Sequence, residues 1–146
     1  NALQGRNPAA TRPWQHVLDV LAGYLCYAEA LVSDRMGELP SALNFGPDTE
    51  SAQSVSWLLD HVIKTLRAEG QKVKDWQHTP EVGPAEAQNL ALDASLAAEL
   101  LGWKPILSPA NAAAWTARWH ASLFGNTSAR YLVESQINAY HDLAAI

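Results

Sequence analysis

Cysteine is almost missing from this chain. Cys26 is the single one, so no internal disulfide can form and nothing marks a secreted, cross-linked scaffold. Positive charge is scarce too: Lys and Arg total 10 against 15 Asp and Glu, and no basic cluster stands out in a chain of net charge -5. That balance makes nucleic acid a poor candidate as a partner class. No run of about 18 apolar residues occurs, and Asn1 to Arg6 lack the charged and greasy regions of a signal peptide, so no membrane partner is expected and the cytoplasm is the default location. The glycines, at positions 5, 23, 37, 46, 70, 83, 102 and 125, are never closely spaced. Neither a dinucleotide fingerprint nor a Walker loop can be built from them, and Gly-x-Ser-x-Gly does not occur. The histidines His16, His61, His78, His120 and His141 show no i, i+4 pair, so no metal site is expected and they read as solvated or locally bonded.

What remains is ample core material. Hydrophobic residues make up 48% and charged residues 17% of 146, which suits one globular domain over residues 1–146. A chain of this size buries roughly 68–70% of its unfolded surface and needs no staple. It starts at Asn1 without an initiator methionine and runs straight into patterned sequence, which predicts a cut inside a longer protein.

Periodicity predicts the elements. Val17, Leu21, Tyr24, Leu25, Ala28, Leu31 and Val32 recur at helical steps, with Asp19 in the favourable first turn and Cys26 as a small core residue. Ala42 to Phe45 reads as a short strand. A second helix starts at the N-cap Ser54, buries Val55, Leu58, Leu59, Val62, Ile63 and Leu66, and stops at Gly70. Lys72 to Trp76 alternates like a strand, His78 to Ala87 is irregular, and Gln88 to Leu92 suggests another strand. Asp93 caps a short helix that Gly102 ends. Longer helices follow, one from Pro109 with Ala112, Trp115, Trp119 and Leu123 on one face, the other from Val133 to Leu143 burying Ile137 and Tyr140. Asn126-Thr127-Ser128 fits a glycosylation acceptor but reads as the turn between them. Trp57, Trp103, Trp115 and Trp119 are assigned to core packing; Trp14 and Trp76 adjoin irregular segments. The fold class is mixed α/β (α+β), helix-rich, with a few short strands rather than a full doubly wound sheet.

One segment is harder to explain as packing. Between Arg6 and Val17, two arginines flank a proline-stiffened stretch leading into the first helix. Pro13 restricts Arg12 to an extended backbone, and a guanidinium offers a phosphate two parallel charge-assisted bonds, so Arg12 is either a phosphate contact or a structural arginine.

The run Arg-Asn-Pro-x-Ala-Thr-Arg-Pro-Trp-Gln-His-Val-Leu-Asp from Arg6 to Asp19, with Leu43-Asn44-Phe45-Gly46-Pro47, Leu92-Asp93, Leu101-Gly102-Trp103-Lys104-Pro105, Gln136-Ile137 and Tyr140, resembles the C-terminal part of the CDP-glucose 4,6-dehydratases. These belong to the extended short-chain dehydrogenase/reductases that act on nucleotide sugars. The resemblance implies a C-terminal, substrate-binding lobe whose partners are a nucleotide sugar and the NAD-binding half of a parent protein. It implies that Arg12 contacts the substrate pyrophosphate and that Glu86, seven residues before Asp93, hydrogen-bonds the nucleotide ribose; a solvated loop carboxylate is the alternative for Glu86. Relatives often carry a basic residue where Gly83 stands and a lysine where Leu96 stands. In the family, NAD takes hydride from sugar C4, water leaves across C5 and C6, and hydride returns to C6, with a tyrosine four residues before a lysine as base. Here Tyr24, Tyr27, Tyr131 and Tyr140 are followed at that spacing by Ala28, Leu31, Ser135 and Ala144, so this chain has no catalytic residue of that kind and no cofactor site; NAD belongs to the full-length family enzyme. The competing readings are a non-catalytic binding or scaffolding domain, which Gly83 favours, and the same lobe tuned to a UDP or dTDP sugar.

Overall fold

The structure, a computed structural model, describes residues 2–33, 39–79 and 87–145. Five helices carry it: α1 Val17–Val32, α2 Val55–Ala68, α3 Ser95–Leu101, α4 Pro109–Phe124 and α5 Ala129–Ala144. Four two-residue strands join them, β1 Gln4–Gly5, β2 Thr11–Arg12, β3 Gln53–Ser54 and β4 Gln77–His78. β1 pairs with β4 in parallel and β2 with β3 antiparallel, giving two small ribbons rather than one sheet. The helix-rich α/β class is what the pattern predicted.

Local chemistry explains the helix ends. The Ser54 hydroxyl accepts from the Trp57 amide at 3.1 Å and so caps α2. Pro109 occupies the first turn of α4, where a missing N–H costs nothing, behind the cap Ser108. Asp93 accepts from the Ser95 amide at 2.9 Å, and bonds to Ser95 hold its carboxyl below the usual carboxylate range. Gly102 ends α3 with φ +66, a conformation that costs most residues about 1–2 kcal/mol. His16 caps α1, its Nδ1 accepting from Leu18 N at 3.3 Å.

Phe45, Ala97 and Trp103 form a buried cluster, with Tyr27, Leu43, Ala94 and Leu101 against it. Phe45 meets Trp103 edge-on at 5.1 Å and presses on Gly23, where a Cβ would lie 2.4 Å from its ring. Elsewhere α4 runs beside α2, and its deepest residues are Ala112, Ala113, Ala117 and Ala121.

Several expectations need correction. Cys26 is exposed rather than a core thiol. The face of α1 bearing Val17, Leu21, Tyr24, Leu25 and Val32 points outward, and the buried face is that of Asp19 and Gly23, because a glycine is needed where the Phe45 ring lands. Ala42 to Phe45 and Lys72 to Trp76 form no strand; pairing begins only at Gln77, where a neighbour exists. Gln88 to Leu92 contributes one bridge, Asn89 to Thr11. Of the four tryptophans assigned to the core, Trp103 is buried, while Trp57, Trp115 and Trp119 are half-buried. Alanines take the deep positions of α4 instead, since small side chains let two helices approach closely. On α5, Tyr140 is buried as expected but Ile137 is exposed.

Candidate functional site

Arg12 lies where three chain segments meet. β2 pairs with β3 through Thr11 opposite Ser54 and Arg12 opposite Gln53, while Thr11 also bridges to Asn89. Around it Thr11 N donates to Gln88 O at 2.9 Å, Leu90 N to Thr11 O at 3.2 Å and Val55 N to Ala10 O at 3.0 Å. The Trp14 indole donates to Gln53 O at 2.9 Å and ties the far side of Pro13 to β3. The backbone of Arg12 is thereby held by long-range bonds, and the two-residue strands exist because this junction pairs them.

The Arg12 side chain is half-buried. Its Nη1 donates to Thr11 O at 2.8 Å and, more loosely, to Gln88 O at 3.5 Å. The fold therefore brings Arg12 beside Gln88, two residues beyond Glu86, across 76 positions of sequence. Glu86 itself and Gly83 lie outside the described residues. Arg6, the other flanking arginine, has an exposed side chain, and its carbonyl meets His78 Nε2 at 3.2 Å. Leu96 is exposed at the surface. Among the described residues no group of three His, Cys, Asp or Glu side chains could hold a metal ion.

A second polar centre, missed by sequence reasoning, is built around Asp19. Asp19 lies in the first turn of α1, as expected, but it is fully buried. Its Oδ1 accepts from Ile106 N at 2.8 Å and from the Tyr140 hydroxyl at 2.9 Å, and its carbonyl accepts from the Trp103 indole at 3.2 Å. One residue thus ties α1 to α5 and to the segment after α3. Burial, and then the bond to Asp19, push the Tyr140 hydroxyl far above its ordinary range, so it stays a donor. Burial also lowers His16, against the opposing pull of Asp19, and Trp115 packs on its ring edge-on at 5.7 Å. Gln15 donates to Phe45 O at 3.0 Å. The signal available in sequence was a lone carboxylate in the first turns of an otherwise apolar helix.

Known proteins resemble this chain in sequence and in fold. No family model matches the chain. It is 36% identical over 115 residues to CDP-glucose 4,6-dehydratase of Salmonella typhimurium, in that protein's C-terminal region, a match taking in 79% of this chain and 31% of the dehydratase. Over most of its own length the chain is thus similar to one part of a nucleotide-sugar dehydratase. Its fold matches part of a solved structure: UDP-glucose-4-epimerase of Stenotrophomonas maltophila, solved with bound NAD and formylated UDP-arabinopyranose, superposes with a TM-score of 0.68 at 22% identity over 86% of this chain and 37% of the epimerase. The chain spans about a third of the length of these two proteins. No described helix is long and apolar enough to cross a membrane.

Proposed function

We propose that this chain is the substrate-binding portion of an NAD-dependent 4,6-dehydratase acting on CDP-glucose, and that it is inactive without the NAD-binding half of its parent protein. Arg12 binds the substrate pyrophosphate and Glu86 the ribose. The observation that carries the reading is the 36% identity to a CDP-glucose dehydratase, together with the rigid mounting of Arg12 between β3 and the segment following Glu86. With its backbone already held, Arg12 has only its side-chain torsions left to order when it grips a diphosphate, and holding the non-reacting end of a substrate can lower a barrier by roughly 7–11 kcal/mol in favourable cases. CDP is preferred over UDP or dTDP here because the sequence likeness is to an enzyme named for CDP-glucose, whereas the likeness to a UDP-sugar enzyme is one of fold.

NAD does not fit the described residues of this chain. Gly23 and Gly46 are packed against Phe45 and Leu92, Gly70 and Gly102 end helices, and no two described glycines make a turn that could admit a pyrophosphate. Hydride chemistry belongs to the other half.

The test is steady-state kinetics of the full-length parent enzyme with CDP-glucose. Loss of a charge-assisted pair in Arg12→Ala is expected to raise KM roughly 10–100-fold. Arg12→Lys recovers only part of this, since it keeps charge without the fork. A KM unchanged in both variants refutes the assignment of Arg12. A competition panel of CDP, UDP and dTDP sugars checks the base, and turnover of none of them leaves the scaffolding alternative.

A further inference from the structure

The Arg12 guanidinium hangs on the carbonyls of a single β-bridge. Thr11 and Asn89 face each other in parallel, and two main-chain bonds close the bridge: Thr11 N donates to Gln88 O at 2.9 Å and Leu90 N to Thr11 O at 3.2 Å. The same two carbonyls receive Arg12 Nη1, Thr11 O at 2.8 Å and Gln88 O at 3.5 Å. Where the guanidinium stands therefore depends on how firmly the two segments are joined. Little main chain holds them: this one bridge, and on the opposite edge the two-residue pairing of β2 with β3. Pairings this short are marginal in water and specify their register weakly. One side-chain bond reinforces the bridge. The Thr11 hydroxyl donates to Asn89 Oδ1 at 2.9 Å, a cross-strand contact between directly opposed residues. Asn89 is exposed, and asparagine is depleted in strands, so neither burial nor propensity accounts for it; what it contributes there is this bond.

Resting on the reading of Arg12 and Glu86 above, we propose that Thr11 and Asn89 are a pair of positioning residues for the nucleotide diphosphate. Their bond keeps Arg12 in register with the polypeptide just after Glu86, and so sets the spacing between the group that grips the pyrophosphate and the group that grips the ribose. Neither side chain need touch the substrate. A ligand held at two points gains from both only when the separation of the two protein groups matches its own. Gln88 stands two positions after Glu86 in the chain. A slip of one residue at the bridge would move that segment by about 3.3 Å, more than a hydrogen bond tolerates. The reacting sugar lies beyond these contacts, which makes the pair a determinant of binding rather than of turnover.

Steady-state kinetics of the full-length parent enzyme with CDP-glucose, alongside thermal melting of each variant, make the test. Thr11→Val and Asn89→Leu each remove one partner at nearly constant volume; each should raise KM roughly 5-fold and leave kcat unchanged. Thr11→Ser keeps the hydroxyl and should keep the KM of the unaltered enzyme. The double variant Thr11→Val with Asn89→Leu should be no worse than either single one, and in an Arg12→Ala background Asn89→Leu should change KM by less than roughly 2-fold. A rise in KM that merely follows a falling melting midpoint, a fall in kcat at constant KM, additive effects in the double variant, or a Thr11→Ser enzyme that behaves like Thr11→Val each overturn the proposal. If Arg12→Ala raises KM while Thr11→Val and Asn89→Leu do not, the positioning pair alone is refuted. If Arg12→Ala leaves KM unchanged, or the parent turns over no sugar nucleotide, the functional reading falls and the pair with it.

Discussion

Asp19 shows how one buried carboxylate organises a small lobe. Its Oδ1 receives two donors from distant segments, while its Oδ2 is buried without a partner among the described residues. Tyr140→Phe removes one donor and should cost about 1–2 kcal/mol, whereas Asp19→Ala leaves both the Ile106 amide and the Tyr140 hydroxyl unsatisfied and should cost more, about 3 kcal/mol. Urea unfolding of the two variants and their double mutant measures the coupling, which additivity would disprove. His16 adds a pH dependence. Its pKa lies below the unfolded value of about 6.5. Between the two values the unfolded chain binds the extra proton, so the stability of the fold is complete above about 6.5 and is lost as pH falls through the folded pKa. Protonation also takes the Nδ1 lone pair that caps α1. His16→Asn keeps a capping acceptor without titrating, and should flatten the dependence of the urea midpoint between about pH 7.5 and 5.5.

At the level of helices and strands, the two glycines that matter most do so for different reasons. Gly102 has φ +66 and nothing within 4 Å of the place an added methyl would take, so Gly102→Ala costs only conformational strain, about 1 kcal/mol. Gly23 has ordinary helical geometry but meets the Phe45 ring, so Gly23→Ala should cost about 1–3 kcal/mol by overpacking. In the Phe45→Leu background that penalty should shrink, a comparison thermal unfolding can make. The bounds of α1, the Ser54 cap of α2, the start of α4 at Pro109 and the Gly102 stop were all legible, because periodicity and capping chemistry are local. Which side of α1 is buried was not, because a helix apolar all round gives the hydrophobic pattern no preferred face. The strand at Ala42 failed for a related reason: a strand exists only with a neighbour, and no local signal announces one.

For the molecule as a whole, the missing glycine spacing makes a prediction about the cofactor. NAD added to this chain alone should leave its tryptophan fluorescence unchanged up to millimolar concentration; quenching that saturates would show a dinucleotide site where none is described. The candidate site was legible to the same partial extent. The stiffened Arg12 and its phosphate chemistry could be read from Pro13 and the neighbouring residues, and the family resemblance supplied Glu86. The company Arg12 keeps could not be read, since Gln53 and Gln88 lie 41 and 76 positions away and arrive only through the pairing of Thr11 with two segments.

Composition and local pattern were enough to establish a helix-rich chain and the bounds of its first helices, because propensity and capping act within a few residues; the last helix begins at Ala129, a turn before the Val133 that its apolar pattern suggested. The burial of Asp19, the exposure of Leu25 and Cys26 and the junction that mounts Arg12 were settled only by tertiary packing. They depend on contacts between segments far apart in the chain, and on which of two apolar helix faces the Phe45 ring happens to fill.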